Sequence, residues 1–96
     1  MRISKKMSKW FVESITRLDP DADVYLFGSR VNNELKGGDI DIMHIGSSSL
    51  TFKQKVKIIG DFWQLFGEQK VDLVSFSHES KDVFKSLVMQ QALKLN

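Results

Sequence analysis

Two aspartates, Asp39 and Asp41, stand two residues apart in the otherwise apolar stretch 39–42, Asp-Ile-Asp-Ile. Because side chains at i and i+2 of a β-strand point to the same face, these two carboxylates are predicted to be neighbours. Two unit charges about 4 Å apart repel by about 4 kcal/mol at an effective dielectric of about 20, so a partly buried pair needs compensation. A divalent cation supplies that compensation, and Mg²⁺ prefers such oxygen ligands.

Two further features accompany the aspartate pair. Gly28 and Ser29 follow a short apolar run, and a glycine-serine turn at a helix start lets a phosphate approach backbone N–H groups. Asp72 lies in the mainly apolar stretch 70–76, where an acid needs a partner or a metal. Each feature alone has a structural explanation, respectively an exposed edge strand, a simple turn and an exposed strand position. Together they favour a site that binds a metal and a nucleotide.

The elements that must position these residues follow from hydrophobic periodicity and turn residues. We expect helices at 4–18, 51–67 and 80–94, strands at 24–27, 39–45 and 70–76, and irregular helical turns within 29–36. Ser49 is expected to cap the second helix. His44 has the strand parity of the isoleucines, so we expect it to face away from the acids in a structural role. This order predicts an α/β (α+β) domain with a small mixed β-sheet flanked by helices.

Composition restricts the classes of function. The 96 residues contain no linker-like stretch, so we expect a single domain spanning 1–96. The absence of cysteine excludes disulfides, thiolate zinc sites and cysteine nucleophiles, and fits a cytoplasmic protein. No apolar run approaches the length needed to cross a bilayer, and none is typical of a targeting segment, so no membrane association is expected. A net charge of +2 does not indicate direct nucleic-acid binding.

Residues 27–42 resemble the nucleotidyltransferase signature of the polymerase β superfamily. That signature is an apolar residue, Gly, then Ser or Gly, a spacer, and then Asp, apolar, Asp or Glu, apolar. The spacer in this chain runs from Arg30 to Gly38, and Asp72 matches the third carboxylate that these enzymes place on a later strand. The length and helix order are similar to those of the minimal nucleotidyltransferases (MNT), which consist of little more than the catalytic domain.

The resemblance implies a polymerase β-like fold and transfer of a nucleoside monophosphate from an NTP to a hydroxyl, with release of pyrophosphate. It implies three residues that are both catalytic and metal-binding, for two Mg²⁺ ions: Asp39, Asp41 and Asp72. It implies three nucleotide-binding residues: Gly28, Ser29 and Arg30. Arg30 either adds charge to the phosphate site or pairs with Glu34, and the sequence leaves both open.

The resemblance also implies a partner. MNT proteins are typically encoded with a helical HEPN protein, often as the antitoxin of a toxin–antitoxin pair, and some adenylylate a tyrosine of the toxin. We therefore expect AMP transfer from ATP to a HEPN partner, and a homo-oligomer or hetero-oligomer stays open. Trp10, Phe11, Trp63 and the last predicted helix offer apolar surface for a partner, or else pack within the core.

One departure from the MNT pattern keeps an alternative open. Many MNT proteins have a second arginine followed by glycine after the Gly-Ser-Arg segment, where this chain has Asn32 and Asn33. Lys36 is a candidate to replace the missing charge. The alternative is a nucleotidyltransferase-fold module with little or no catalysis that neutralises its HEPN partner by binding. A transferase for small-molecule hydroxyls would need a second domain for the acceptor.

Overall fold

The computed structural model describes residues 3–31 and 38–96. Its elements in chain order are α1 (Lys5–Leu18), β1 (Asp23–Phe27), a 3-10 turn (Gly28–Val31), β2 (Ile40–Gly46), α2 (Phe52–Phe66), β3 (Val71–Ser77), α3 (Val83–Met89) and β4 (Leu93–Lys94). The predicted fold class, a small mixed sheet flanked by helices, is confirmed. Over these two ranges no helix is both long enough and apolar enough for a membrane crossing.

The four strands form one sheet in the order β3-β2-β1-β4. β2 runs parallel to β3 and antiparallel to β1, and β4 pairs antiparallel with β1. The starts of β2 and β3 and the end of β1 therefore lie at the same end of the sheet. In this register Asp41 is the direct partner of both Asp72 and Phe27. Directly paired residues share a face, so these three side chains point to the same side.

The first two helices begin at side-chain caps, and their bounds lie within one residue of the predicted ones. Ser4 caps α1, because its hydroxyl accepts a hydrogen bond from the Met7 N–H at 3.0 Å. Thr51 caps α2, which corrects the prediction of Ser49. Thr51 accepts from the Gln54 N–H at 3.1 Å, and the Gln54 side chain accepts from the Thr51 N–H at 2.9 Å. This reciprocal pair needs a side-chain acceptor three residues after the cap, which Ser49 lacks.

The core lies between α1, α2 and one face of the sheet. Phe11 and Ile15 on α1 and Ile58 and Phe62 on α2 are buried, and the rings of Phe11 and Phe62 stack with centroids 4.8 Å apart. Burial of each such side chain stabilises the fold by roughly 1.5–3 kcal/mol. Val56, also on α2, is exposed.

The last part of the chain differs from the predicted helix over 80–94. α3 ends at Met89, and Leu93–Lys94 form the short strand β4 beside β1. The side chain of Asn96 extends this pairing, since it donates to the Ala22 carbonyl at 2.8 Å and accepts from the Val24 N–H at 2.9 Å. The physical reason is that the outer edge of β1 has backbone groups that need partners, and an extended segment satisfies them where a helix cannot.

Candidate active site

Three carboxylates meet at the end of the sheet where β2 and β3 begin. Asp39 directly precedes β2, Asp41 is the second residue of β2, and Asp72 is the second residue of β3. Each offers an oxygen atom, and the three oxygens lie within 4.8 Å of one another. We call these three residues the acid cluster. The structure thus brings together the residues that the sequence predicted, and the parallel register of the two strands is the reason.

The surroundings of the acid cluster change the pKa of Asp41. Burial, followed by the negative charges of Asp72 and Asp39, raises the pKa of Asp41 from 3.8 to about 6. A side-chain hydrogen bond with Asp72 acts in the same direction, whereas the positive charge of Lys70 opposes the rise. When burial and neighbouring negative charges raise the pKa of a carboxyl group, its surroundings do not fully compensate the charge of the ionised form. A bound cation would provide that compensation, so the cluster has the charge distribution expected of a metal site.

Gly28 touches the acid cluster directly. It begins the 3-10 turn that continues through Ser29, one residue after Phe27, the partner of Asp41 in the sheet. Its φ of 74° lies in the left-handed region that favours glycine. A Cβ atom at this position would also overlap the carboxylate of Asp41. Glycine is therefore needed both for the turn and for the space that the carboxylate occupies.

Arg30 ties the 3-10 turn to the segment before β2. Its guanidinium donates to the carbonyl of Gly38, with Nε at 3.4 Å and Nη2 at 3.2 Å. This places a positive charge on the same end of the sheet as the acids. The predicted pairing of Arg30 with Glu34 and the predicted charge of Lys36 fall outside the described residues.

Lys70 is a neighbour of the acid cluster that the sequence interpretation missed. Its Nζ lies 3.4 Å from Oδ2 of Asp39, and its carbonyl accepts a hydrogen bond from the Ile40 N–H at 3.0 Å. The signal was present in the sequence, because Lys70 precedes Asp72 by two residues and so shares its strand parity.

His44 lies on the face opposite the acids, as its strand parity predicted. It is fully buried, with Nδ1 2.7 Å from Oγ of Ser75 and Nε2 2.9 Å from Oδ2 of Asp19. The Ser75 hydroxyl also accepts from the Leu50 N–H at 2.6 Å. The imidazole of β2 thus links the end of α1 to β3, and Ser75 in turn binds the loop before α2. This is a structural arrangement on the side of the sheet remote from the acid cluster.

Comparison with known proteins identifies the family to which this chain belongs. Residues 16–95 match the family model described as polymerase beta, nucleotidyltransferase. The chain therefore belongs to the polymerase β nucleotidyltransferase family, as its sequence motif predicted. A search of curated protein sequences found no significant match.

Solved structures narrow the fold to the MNT type. A mutant of the toxin–antitoxin MntA–HpeT superposes with a TM-score of 0.73 at 18% identity, covering 98% of this chain and 73% of that one. The MNT antitoxin in complex with tri-AMPylated Shewanella oneidensis HEPN toxin gives 0.69 at 20% identity, covering 97% and 72%. A toxin–antitoxin with AMP-PNP gives 0.73 at 21% identity, covering 93% and 72%. These likenesses establish a shared fold.

Proposed function

We propose that this protein is a Mg²⁺-dependent nucleotidyltransferase that transfers AMP from ATP to a hydroxyl of a HEPN-type partner protein, as the antitoxin of a toxin–antitoxin pair. The observation that supports catalysis is the acid cluster, whose three carboxylate oxygens lie within 4.8 Å of one another. Family membership supports nucleotidyl transfer. The partner class is supported by the fold shared with an MNT antitoxin found in complex with a tri-AMPylated HEPN toxin.

The donor set of the acid cluster fits Mg²⁺. Asp39, Asp41 and Asp72 provide only oxygen ligands, and the raised pKa of Asp41 reflects a charge that a divalent cation would compensate. These three residues would hold the metal, with two ions expected from the family. When bound, Mg²⁺ would neutralise charge on the triphosphate and lower the pKa of the acceptor hydroxyl.

The chain's own residues divide the remaining tasks. The backbone N–H groups at Gly28 and Ser29 would hold the β- and γ-phosphates, and Arg30 would add positive charge at the end of that turn. Asp72 is exposed and lies on β3, the strand at the edge of the sheet beside β2, where an acceptor can approach. The acceptor oxygen would bond to the α-phosphorus as the bond to pyrophosphate breaks, and Asp72 would take the acceptor's proton.

The surface of α3 supports a protein acceptor. Val83, Phe84 and Leu87 are 72%, 46% and 59% exposed, which is unusual for large apolar side chains on one short helix. The ring of Phe84 lies 6.1 Å from that of Phe27, which directly precedes Gly28. This apolar surface therefore adjoins the candidate active site, where a partner that presents its hydroxyl would have to contact the protein.

The aromatic residues near the other helices contribute less to that surface. Phe11 is fully buried, which excludes it from partner contact, and Trp10 is half-buried with its ring 5.5 Å from that of Phe62. Trp63 is 39% exposed, and its indole N–H donates to the Gln69 carbonyl at 2.6 Å. Of the apolar residues that the sequence suggested, those of α3 are the best candidates for partner contact.

The test is transfer of the α-labelled AMP group of ATP to the partner that this proposal predicts, a HEPN-type protein, in the presence of Mg²⁺. We expect the partner to become labelled, and we expect Asp39→Asn to abolish labelling. Asp61→Asn is the matched control, because Asp61 is an exposed acid on α2 that pairs with Lys57 at 3.1 Å, and labelling should persist. Equal labelling with Asp39→Asn would refute the assignment of the acid cluster.

The same experiment separates catalysis from simple binding. A tight complex that forms without any label on the partner would support the alternative, a nucleotidyltransferase-fold module that neutralises its partner by occlusion. Substitution of Phe84 by serine should weaken the complex under either mechanism, because Phe84 belongs to the exposed surface of α3.

A further inference from the structure

Lys70 forms an ion pair with one member of the acid cluster while remaining open to solvent. Its Nζ lies 3.4 Å from Oδ2 of Asp39, and its side chain is 74% exposed. Its positive charge also acts on Asp41, where it opposes the effect of the neighbouring acids. The ammonium group is therefore the counter-ion of Asp39, and its charge also lowers the pKa of Asp41.

The backbone explains why the ammonium lies there. Ile40 donates its N–H to the Lys70 carbonyl at 3.0 Å, so the residue before β3 is held beside the residue before β2. Lys70 and Asp72 have the same strand parity, which directs both side chains to the face of the acids. The position is thus fixed by the same parallel pairing that assembles the acid cluster.

We infer that Lys70 acts as the counter-ion of the acid cluster in the absence of metal. Its ammonium group must move away from Asp39 when a metal binds. This inference rests on the proposed function, since it assumes that the cluster holds a divalent metal. A lysine ammonium is a compact charge on a flexible stem, and exposed ion pairs of this kind are weak. Lys70 therefore neutralises part of the cluster without closing it to a stronger cation.

Displacement of Lys70 links metal binding to nucleotide binding. A divalent ion at Asp39 repels the ammonium, so Lys70 weakens metal binding as long as no other anion is present. The phosphates of a nucleotide bring new negative charge to the site, and the mobile ammonium can turn to them. Metal and nucleotide then strengthen each other's binding, and by linkage the effect is reciprocal.

The test is a titration of the full chain and its variants with Mn²⁺ alone. The electron paramagnetic resonance signal of the free ion measures how much Mn²⁺ remains unbound. Lys70→Met should bind Mn²⁺ about tenfold more tightly than the unmodified protein, which corresponds to about 1.4 kcal/mol. Lys70→Arg should retain the unmodified affinity, because it keeps the charge. Addition of AMP-PNP should tighten Mn²⁺ binding more in the unmodified protein than in Lys70→Met.

Lys94→Met is the matched control. Lys94 forms a comparable exposed ion pair, 3.1 Å from Oδ1 of Asp23, on the strand farthest from β3. Its loss should leave Mn²⁺ affinity unchanged, and thermal melts followed by circular dichroism should show all of these variants folded. Equal or weaker Mn²⁺ binding by Lys70→Met would overturn the role of Lys70 and leave the proposed function standing.

A further variant makes the two failures distinguishable. Asp41→Asn should remove Mn²⁺ binding, both alone and combined with Lys70→Met, which would place the titrated ion at the acid cluster. Persistent Mn²⁺ binding in Asp41→Asn, or no binding by any of these proteins, would overturn both the inference and the metal site of the proposed function.

Discussion

The raised pKa of Asp41 predicts that neutralising this residue stabilises the metal-free protein at alkaline pH. In Asp41→Asn the amide is close in shape to a protonated carboxyl and can still donate a hydrogen bond to Asp72. The rise of the pKa from 3.8 to about 6 corresponds to at most about 3 kcal/mol. Because the side chain is only half-buried and water screens its charge, we expect a gain of about 1–2 kcal/mol.

The sign of the effect follows from the direction of the pKa change. The folded state favours the protonated form of Asp41, so the contribution of this group to stability is fully present below the unfolded-state pKa of 3.8. It is lost as the pH rises through about 6, where the carboxyl ionises in the folded protein. The stabilisation by Asp41→Asn should therefore be small at about pH 4 and complete at about pH 8.

Urea unfolding in the presence of a chelator at both pH values measures this difference. Saturating Mg²⁺ should stabilise the unmodified protein at the higher pH, because a ligand that binds only the folded state shifts unfolding, and Asp41→Asn should lose that response. Asp61→Asn, which alters an exposed ion pair on α2, should change stability by less than about 0.5 kcal/mol at either pH. A destabilised Asp41→Asn at the higher pH, or a gain that does not vary with pH, would refute the reasoning.

Three further substitutions test other parts of the structure. Gly28→Ala should sharply reduce Mn²⁺ affinity, since its methyl group overlaps a carboxylate of the acid cluster. Gly67→Ala, also at positive φ but in open space, should leave Mn²⁺ affinity unchanged and destabilise the fold by about 1–3 kcal/mol. Ser75→Ala leaves the buried ring of His44 and a backbone N–H without their partner, so urea unfolding should show a loss of about 1–3 kcal/mol with metal affinity unchanged. Thr51→Ala removes the capping box of α2 and should lower the midpoint of thermal unfolding through a loss of about 1 kcal/mol, and an unchanged midpoint would contradict the capping role.

The acid pair could be predicted from the sequence because its geometry depends only on strand alternation. Asp41 lies in β2 and Asp39 directly precedes it, so continued strand alternation puts both side chains on one face, whatever packs around them. The position of Asp72 beside Asp41 depends on the parallel pairing of β2 with β3, which the sequence analysis did not predict. The family resemblance implied only that a third carboxylate from a later strand belongs to the site. Local periodicity likewise gave α1 and α2 nearly to the residue.

The features that the sequence did not reveal depend on contacts between distant segments. The last helix was predicted over 80–94, but it spans only Val83–Met89. The sequence did not reveal this because the pairing of Leu93–Lys94 with β1 involves residues far apart in the chain. The ion pair of Lys70 with Asp39 depends on the alignment of β2 with β3. The two partners of His44 are Ser75 on β3 and Asp19 at the end of α1. The position of His44 within β2 could indicate the face it occupies, but not which side chains it would contact there.

The arrangement of β2 has a consequence for how this protein can evolve. Ile40 and Ile42 hold the hydrophobic interior on one side, and Asp41 stands on the other. Substitution of Asp41 by a neutral residue therefore leaves the hydrophobic core unchanged, and it removes the repulsion between Asp41 and the neighbouring acids. Homologues that have lost the acid cluster are therefore expected to keep this fold.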